Sequence, residues 1–516
     1  MAAAGWKRRL GLVFLGALAG LALPPVHLVF LLLPAFAGLI WAVGQCGQAR
    51  HAFMAGWWFG LGFGAVGYYW VGSAFLVDAA TYGFLAPPAV AGLAAGMAVF
   101  PGLAAAALHG VGRWRPLQPL ARILVFAAFW ALGEWLRSWL LTGFPWNLIA
   151  SVWTFSPEMI QAAAYLGPYG LSLVSVFVAG LPALFLFGQG RRRSANAVAA
   201  GVAVLAFIGG LGFIRLQGEL PPEVDGVRLR LVQPNIAQHL KWRRELRLGH
   251  VRKQMQMSLS AGVGGAAPTH VIWAETAVPF DMAANAKLRA AMTAAVPPGG
   301  LLIAGAPRAD KDADGARTAF NAIHAMNRDS AIVATYDKRH LVPFGEYVPL
   351  RGLLKFSKLT AGRVDFHPGT APRVMTLPGL PPLAALICYE VIFPAEVADL
   401  ESRPGWILNL TNDAWFGVSS GPHQHLAAVQ LRAVELGLPV VRVANTGISA
   451  VIDAYGRLQA TLPLGREGVL DSTLPGGLAN APPYGRFGDT ISWLLIAGFL
   501  AAGLVGGPRR KSRSSS

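Results

Sequence analysis

Long apolar runs fill most of the first 214 residues of this chain, and they restrict its fold more than any other feature. A bilayer crossing takes about 20 mostly apolar residues, because lipid offers the backbone no hydrogen-bonding partner outside the segment itself. Runs of this kind lie at 10–23, 26–43, 53–77, 89–111, 123–141, 165–187 and 195–214, and an eighth follows at 491–505. The first is short, and only Pro24-Pro25 divides it from the second. It follows a basic start (Lys7, Arg8, Arg9), as a signal peptide would. More apolar runs come at once and no small-residue cleavage site is convincing, so it reads as an uncleaved first helix. Charged residues make up 13% of the chain, against about 25% in soluble domains. An integral membrane protein is therefore expected.

The formal net charge of +17 raises the possibility of a nucleic-acid partner. The arginines argue against it, because many cluster between apolar runs and no basic stripe carries stacking aromatics. No nucleic acid is expected. The cations set a topology instead. Lys7, Arg8 and Arg9, then Arg50, then Arg113, Arg115 and Arg122, then Arg191, Arg192 and Arg193, and finally Arg509, Arg510, Lys511 and Arg513 occupy every second loop or end. The short alternate loops, at Pro24-Pro25, 78–88 and 142–161, lack Lys and Arg. By the positive-inside rule both termini are cytoplasmic and the long segment between the seventh and eighth runs is external, which in a Gram-negative cell means periplasmic. In such a cell the expected location is the bacterial inner membrane. Two cysteines, Cys46 and Cys388, are too few for a disulfide framework, and this topology separates them.

The external segment, 226–475, has a different texture. Short β-branched runs at 227–232, 270–273, 301–304, 331–336, 383–388, 406–410, 440–444 and 448–452 are bounded by Gly, Pro and Asn, as buried strands should be. Helical patterns at 286–295 and 425–436 alternate with some of them. This predicts a layered α/β domain. The expected organisation is a seven-helix bundle over 1–220, the α/β domain over 226–475, a last membrane helix over 488–507 and a basic tail over 508–516. The Arg/Ser tail reads as disordered.

Three residues in the α/β domain stand at strand ends. Cys388 closes the run 383–388, Lys338 follows 331–336, and Glu275 follows 270–273. Each alone has an ordinary explanation: a core cysteine, a solvated charge, an exposed turn residue. A parallel or mixed sheet would gather such ends at one edge, where α/β domains place their sites. Together the three make chemical sense. A cysteine attacks as the thiolate, a glutamate takes its proton, and a lysine favours the thiolate and stabilises an oxyanion. The backbone N–H of Tyr389 is a candidate second oxyanion donor.

The surrounding segments, WAETAVPF with Glu275, YDKRHLVPFGEYVP with Lys338 and ICYEVIFP with Cys388, resemble the signatures of the nitrilase (carbon–nitrogen hydrolase) superfamily. LNLTNDAWFG (408–417) and RVANTGISAVIDAYG (442–456) resemble it too. With the apolar runs, LTGFPW (141–146) and LKW (240–242), the chain is similar to the apolipoprotein N-acyltransferase family along nearly its whole length. The resemblance implies an αββα sandwich joined to a membrane α-helical bundle of about eight transmembrane helices. It implies that Cys388 takes an acyl chain from a phospholipid, phosphatidylethanolamine, as a thioester. The chain then passes to the α-amino group of a diacylglyceryl-cysteine at the N-terminus of an apolipoprotein. Glu275 would be the base and Lys338 the oxyanion stabiliser. Glu346, Glu390 and, more weakly, Asn321 match supporting positions. The ordinary alternative for Glu346 and Glu390 is surface pairing with Arg339 or Arg351. A monomer without a cofactor is expected. Two rivals remain: a membrane-tethered amidase with the same triad, and a lipid or lipoprotein carrier with a degenerate enzyme domain.

Other features carry weaker readings. Leu350, Leu353, Leu354, Phe356 and Leu359, mixed with Arg351, Lys355 and Lys358, read as an amphipathic cover or as packed core. Trp242, Trp415 and Phe416 are loop aromatics that line a lipid entrance or simply pack the domain. Trp146 is a further entrance candidate, and with Trp153 it reads as an interfacial anchor. Glu134 and Arg137, three apart on one helix face, should pair with each other. His423 and His425 form an H-x-H with no nearby cysteine or acidic cluster to complete a metal site, so no metal is expected.

Overall fold

The computed structural model describes residues 2–262, 267–311, 315, 317–349, 365–397 and 402–505. The amphipathic segment around Leu353 and Phe356, and the basic tail, lie outside the described residues. The chain forms two compact units. One comprises Met1–Gly72, Leu85–Gly218 and the segment from Pro482; the other comprises Ser73–Phe84 and Glu219–Ala481.

Among the described residues, four helices are long and apolar enough to cross a membrane: Ala79–Trp114, Pro119–Leu136, Ala163–Leu186 and Arg191–Leu216. Ala49–Gly67 and Tyr69–Leu76 add a fifth if the pair, bent by 54°, is one span. Val29–Gly44 and Thr490–Val505 are apolar but shorter. By length and composition, then, four or five of the expected eight are full spans among the described residues. The run 53–77 read as one straight helix, but Tyr68 leaves helical geometry (φ −120°, ψ 8°) and the chain turns there. The run 165–187 is kinked at Gly167-Pro168, where Gly167 takes φ 67° and proline has no N–H to give.

The helical unit packs through glycine. A Cβ on Gly62 would strike the Val13 carbonyl, one on Gly16 the Phe59 carbonyl, and one on Gly56 the Pro101 carbonyl. Lipid tails are as apolar as leucine, so helices in a bilayer associate through such close backbone contact rather than by hydrophobic burial. Glu134 and Arg137 are both buried, but their mutual approach is loose at 3.8 Å. Each has nearer partners. Glu134 Oε1 accepts from the Ile149 N–H at 2.9 Å and the Trp130 indole at 3.2 Å, while Arg137 donates to the Tyr68 hydroxyl and the Asn147 carbonyl, both at 3.0 Å. The expected pair is therefore a brace between segments rather than a self-contained ion pair.

The second unit holds two sheets. Its strands are β1 (Arg228–Gln233), β2 (His270–Trp273), β3 (Leu301–Lys311), β4 (Arg317–Met326), β5 (Ile332–Asp337), β6 (Val374–Met375), β7 (Leu383–Ile387), β8 (Trp406–Thr411), β9 (Val440–Ala444), β10 (Ser449–Ile452), β11 (Leu458–Leu462) and β12 (Gly468–Thr473). One sheet runs β12-β1-β2-β3-β4-β5 and the other β11-β10-β9-β8-β7-β6. Within them β1-β2-β3 and β7-β8-β9 are parallel. Strand side chains alternate between faces, and here both faces are apolar. Leu229, Leu231, Ile272, Leu301 and Ile303 of the first sheet meet Leu383, Ala385, Leu408, Leu410, Val441 and Val443 of the second in one core. The alternate residues Val271, Trp273, Leu302 and Ala304 point the other way, onto Val251, Leu288 and Met292 of the helices Arg247–Leu259 and Ala286–Met292. Helix Gly421–Leu436 contacts β9 of the other sheet. It ends at Gly437, whose φ of 62° supplies the left-handed cap. The layer order is αββα. Strand β4 escaped the sequence reading because its polar residues, Asn321 and His324 among them, break the apolar run.

Gly62→Ala should lower the thermal midpoint of the detergent-solubilised protein, with a loss of about 1–3 kcal/mol from overpacking. Gly96→Ala, where a Cβ meets nothing within 4 Å, should leave it unchanged. Equal midpoints for the two variants would show that the glycine contacts do not set helix spacing.

Candidate active site

The three strand ends converge, but not along one sheet edge as expected. Glu275 follows β2 and Lys338 follows β5 in one sheet, while Cys388 follows β7 in the other. Strands β3 and β4 lie between β2 and β5, so the site forms where the two packed sheets present their strand ends to each other. Each end turns sharply. Cys388 sits at φ 52° and Thr276, just after Glu275, at φ 46°. Non-glycine residues are uncommon in this region and cluster at functional positions. Gly305 on β3 allows the Glu275 turn to pass: a Cβ there would come within 2.7 Å of the Glu275 Cα. Lys338 is fixed by its main chain, its N–H donating to the Asn321 carbonyl and its carbonyl accepting from the Gly369 N–H, both at 2.8 Å.

Charge is concentrated and buried here. The Lys338 ammonium is 1% exposed and lies 2.8 Å from Glu346 Oε2 and 3.9 Å from Glu275 Oε1. Asn321 Nδ2 bridges the two carboxylates, donating to Glu275 Oε1 at 2.7 Å and Glu346 Oε1 at 2.8 Å. Glu346 Oε2 also accepts from the Val342 N–H. Burial works against the Lys338 charge, but Glu346 and Glu275 outweigh it and hold the ammonium above the usual lysine range. Burial raises the Glu275 carboxyl; Lys338 lowers it, and the neighbouring Glu346 raises it again. Burial pushes the Cys388 thiol well up, Glu275 adds to this, and Lys338 opposes it. The resting thiol is thus protonated, and its activation calls for a base.

Glu390 ties the two sides of the site together. It is fully buried. Its Oε2 accepts from the Ile387 N–H at 2.7 Å, one residue before the cysteine. Its Oε1 accepts from the Tyr336 hydroxyl and the Arg339 N–H, both at 2.9 Å, and from the His340 N–H and Arg373 Nη1, both at 3.2 Å. Tyr336, Arg339 and His340 flank Lys338, so Glu390 spans the lysine and cysteine turns. Neither Glu346 nor Glu390 is a surface carboxylate.

The family model described as the apolipoprotein N-acyltransferase N-terminal domain matches residues 15–181, and the carbon-nitrogen hydrolase model matches residues 261–482. A curated apolipoprotein N-acyltransferase of Rhodopseudomonas palustris is 42% identical over 96% of this chain and 94% of its own. That of Bradyrhizobium diazoefficiens is 41% identical over the same shares. That of Caulobacter vibrioides is 39% identical over 95% of this chain and 94% of its own. The chain belongs to the apolipoprotein N-acyltransferase family. It is an acyltransferase of a bacterial membrane, with a catalytic unit of the nitrilase fold.

For this acyltransferase the sequence missed a polar cluster behind Cys388. His425 Nε2 donates to the Cys388 carbonyl at 3.1 Å, and Nδ1 lies 3.0 Å from Asp413 Oδ1. Arg442 donates to Asp413 Oδ2 at 2.6 Å and lies 3.1 Å from His425 Nδ1. Burial raises the Asp413 carboxyl, but Arg442 and His425 outweigh it and hold the group well below the usual range. The potential ligand atoms of Cys388, Asp413 and His425 lie within 4.8 Å of one another, a proximity invisible in the spacing. The donor set does not suit a metal, because the Arg442 guanidinium already occupies the cation position beside Asp413 and His425. The cluster anchors the strained cysteine turn instead. Lys241, the middle residue of LKW, was also missed. Its signal was a lysine beside a tryptophan in a motif of the family.

The entrance candidates are spread. Trp242 is half-buried at the end of the short helix Gln238–Lys241. Trp415 and Phe416 are half-buried in the turn Asp413–Phe416, where the Phe416 ring lies 5.8 Å from that of His425. Trp146 belongs to the helical unit. It is 3% exposed and packs on Trp70, with ring centroids 4.6 Å apart, so it is not an exposed interfacial anchor. Trp153 is half-buried, its indole donating to the Ser175 hydroxyl. Tyr389 is buried between Phe393 and His340, at 5.1 Å and 5.7 Å.

Glu390→Ala strands buried donors on both turns, at about 1–3 kcal/mol each, and should cost thermal stability and activity together. Glu390→Gln keeps an acceptor oxygen and should lose less of both. A Glu390→Ala enzyme with the wild-type midpoint, measured by thermal unfolding in detergent, would refute the tie.

Proposed function

We propose that the protein is a phospholipid:apolipoprotein N-acyltransferase that works through a thioester on Cys388. The observation that carries this is that Cys388, Glu275 and Lys338 are all buried, with the Lys338 ammonium 3.9 Å from the Glu275 carboxylate and both groups acting electrostatically on the Cys388 thiol. Glu275 takes the thiol proton, and the thiolate attacks an ester carbonyl of phosphatidylethanolamine. Lys338, with the Tyr389 N–H, stabilises the oxyanion. The carbon–oxygen bond breaks, the leaving oxygen takes the proton from Glu275, and a lysophospholipid departs. The α-amino group of a diacylglyceryl-cysteine then attacks the thioester. A carbon–nitrogen bond forms and the carbon–sulfur bond breaks. Glu275 accepts the amine proton and returns it to the thiolate. The scheme is ping-pong and needs no cofactor.

Supporting roles follow from the contacts. Glu346 neutralises Lys338 at 2.8 Å, which leaves Glu275, 3.9 Å away, free to move a proton. Asn321 holds both carboxylates in register, and Glu390 fixes the turns. Trp242, Trp415 and Phe416 line the lipid entrance. The catalytic domain is periplasmic, both termini are cytoplasmic, about eight helices cross the membrane, and the enzyme is a monomer. The topology has support within the helical unit. Arg8 donates to the Ala42 carbonyl, and a Cβ on Gly44 would lie 3.1 Å from Arg122, so three segments bring their cation-bearing ends together.

Intact-protein mass spectrometry after incubation with phosphatidylethanolamine and no acceptor should show a gain of one acyl chain that is released by hydroxylamine. Cys388→Ala should abolish the adduct; an adduct surviving that change would refute the nucleophile. Glu275→Ala and Lys338→Ala should each abolish turnover, while Cys46→Ala should be nearly silent. No adduct on folded wild type, with release of ammonia from small amides, would favour the amidase reading.

Because burial raises the Glu275 pKa, the rate of thioester formation should fall as pH drops through a value above the ordinary glutamate range of about 4.3. An acid limb at or below that value in a single-turnover pH profile would contradict the base assignment.

A further inference from the structure

Lys241 is 2% exposed, and its Nζ donates to the Glu275 backbone carbonyl at 3.0 Å. Among the described residues it has no carboxylate at ion-pair distance. A buried ammonium without such a partner is costly, and a fold keeps one only when surrounding structure enforces it. Here the enforcement is visible. Asn445 exchanges hydrogen bonds with the Ile236 main chain: its Oδ1 accepts from the N–H at 3.0 Å and its Nδ2 donates to the carbonyl at 2.8 Å. Asn412 Nδ2 donates to Gln238 Oε1 at 2.8 Å, and Asn445 Nδ2 donates to Asn412 Oδ1 at 2.9 Å. These asparagines follow β8 and β9 of the same sheet; β8 pairs with β7, the strand that precedes Cys388, and β9 pairs with β8. The short helix Gln238–Lys241 is thus sutured to the nucleophile's own sheet while its last side chain reaches across to the Glu275 turn.

The charges explain the arrangement. The groups that act on Glu275 are Lys338, Glu346, Asn321 and Lys241, and the Cys388 thiol is coupled to it. Lys338 lies 2.8 Å from Glu346 and 3.9 Å from Glu275, so one ammonium serves two carboxylates, and Lys241 is a second cation that lowers the Glu275 pKa. Burial lowers the Lys241 pKa to about 8, with Glu275 and Cys388 holding it up, so the side chain is still mostly ammonium at neutral pH.

We propose that Lys241 is a positioning residue for Glu275: it fixes the Glu275 turn through the backbone carbonyl and supplies the positive charge that keeps the carboxylate ionised in the resting enzyme. This rests on the reading of Glu275 as the base. Removing Lys241 takes away an influence that lowers the Glu275 pKa, so the carboxylate protonates at a higher pH. An opposite charge at such a site shifts a carboxylate by about 1–3 units, and the lower end is expected because Lys241 contacts the main chain rather than the carboxylate.

The test is the pH dependence of Cys388 alkylation by iodoacetamide in the full-length protein, in a Cys46→Ala background. This reports on the thiol and its base without any lipid donor. Glu275→Ala should abolish the acid limb seen in the wild type. Lys241→Met should move that limb about one unit towards alkaline pH, a loss of about tenfold in rate on the limb, and Lys241→Arg should move it back. Lys241→Gln serves as a second neutral variant should the methionine chain fail to fold. A role in folding alone would lower the plateau without moving the limb. A limb that stays in place in the neutral variants, but vanishes in Glu275→Ala, overturns the role of Lys241. A limb unchanged in Glu275→Ala overturns the base assignment instead.

Discussion

Glu390 is a carboxylate with no exposure that accepts hydrogen bonds from two turns belonging to different sheets. One is the turn that carries Cys388 and the other the turn that carries Lys338. Sheets packed face to face are held by apolar side chains, which are directionless and fix spacing better than register. A buried acceptor facing several donors has a direction, and leaving those donors unpaired costs more than any one bond gains. The geometry of the reactive groups therefore depends on this residue. Apolar packing brings the layers together, and Glu390 sets how the Lys338 and Cys388 turns face each other.

Within that frame the site is an exercise in charge balance at low dielectric. Glu346 answers Lys338, Asn321 spaces two carboxylates that would otherwise repel, and Asp413 with Arg442 and His425 holds the cysteine turn from behind. Lys241 extends the same logic, since it is a second buried cation near Glu275 and lowers the pKa of that carboxyl. Preorganised groups of this kind do not have to reorient when charge develops during reaction, which is why such sites are buried despite the desolvation cost.

The helical unit obeys a different constraint. Its glycines bring backbones into contact where hydrophobic burial gives no advantage, and its charged pair, Glu134 and Arg137, braces distinct segments through separate partners.

Much of this was legible in the chain. Apolar run length marked the helices of the membrane unit, of which four or five are long enough to span, β-branched runs gave most strands of the central layers, and Glu275, Lys338 and Cys388, which the structure brings near one another, were singled out because each stands where an apolar run breaks. Those are local signals: periodicity, a strand end, a residue type. The distribution of the three residues over two sheets was not legible, nor was the break at Tyr68, the clasp of Glu390, the cluster of Asp413, His425 and Arg442, or the reach of Lys241. Each depends on pairs separated by tens or hundreds of residues, such as Ile236 with Asn445, and no spacing along the chain encodes them. The sequence by itself determined which residues could react and which segments suit lipid. Only the tertiary structure decided which charges share a buried pocket, because burial and proximity, not residue identity, set where their protons reside.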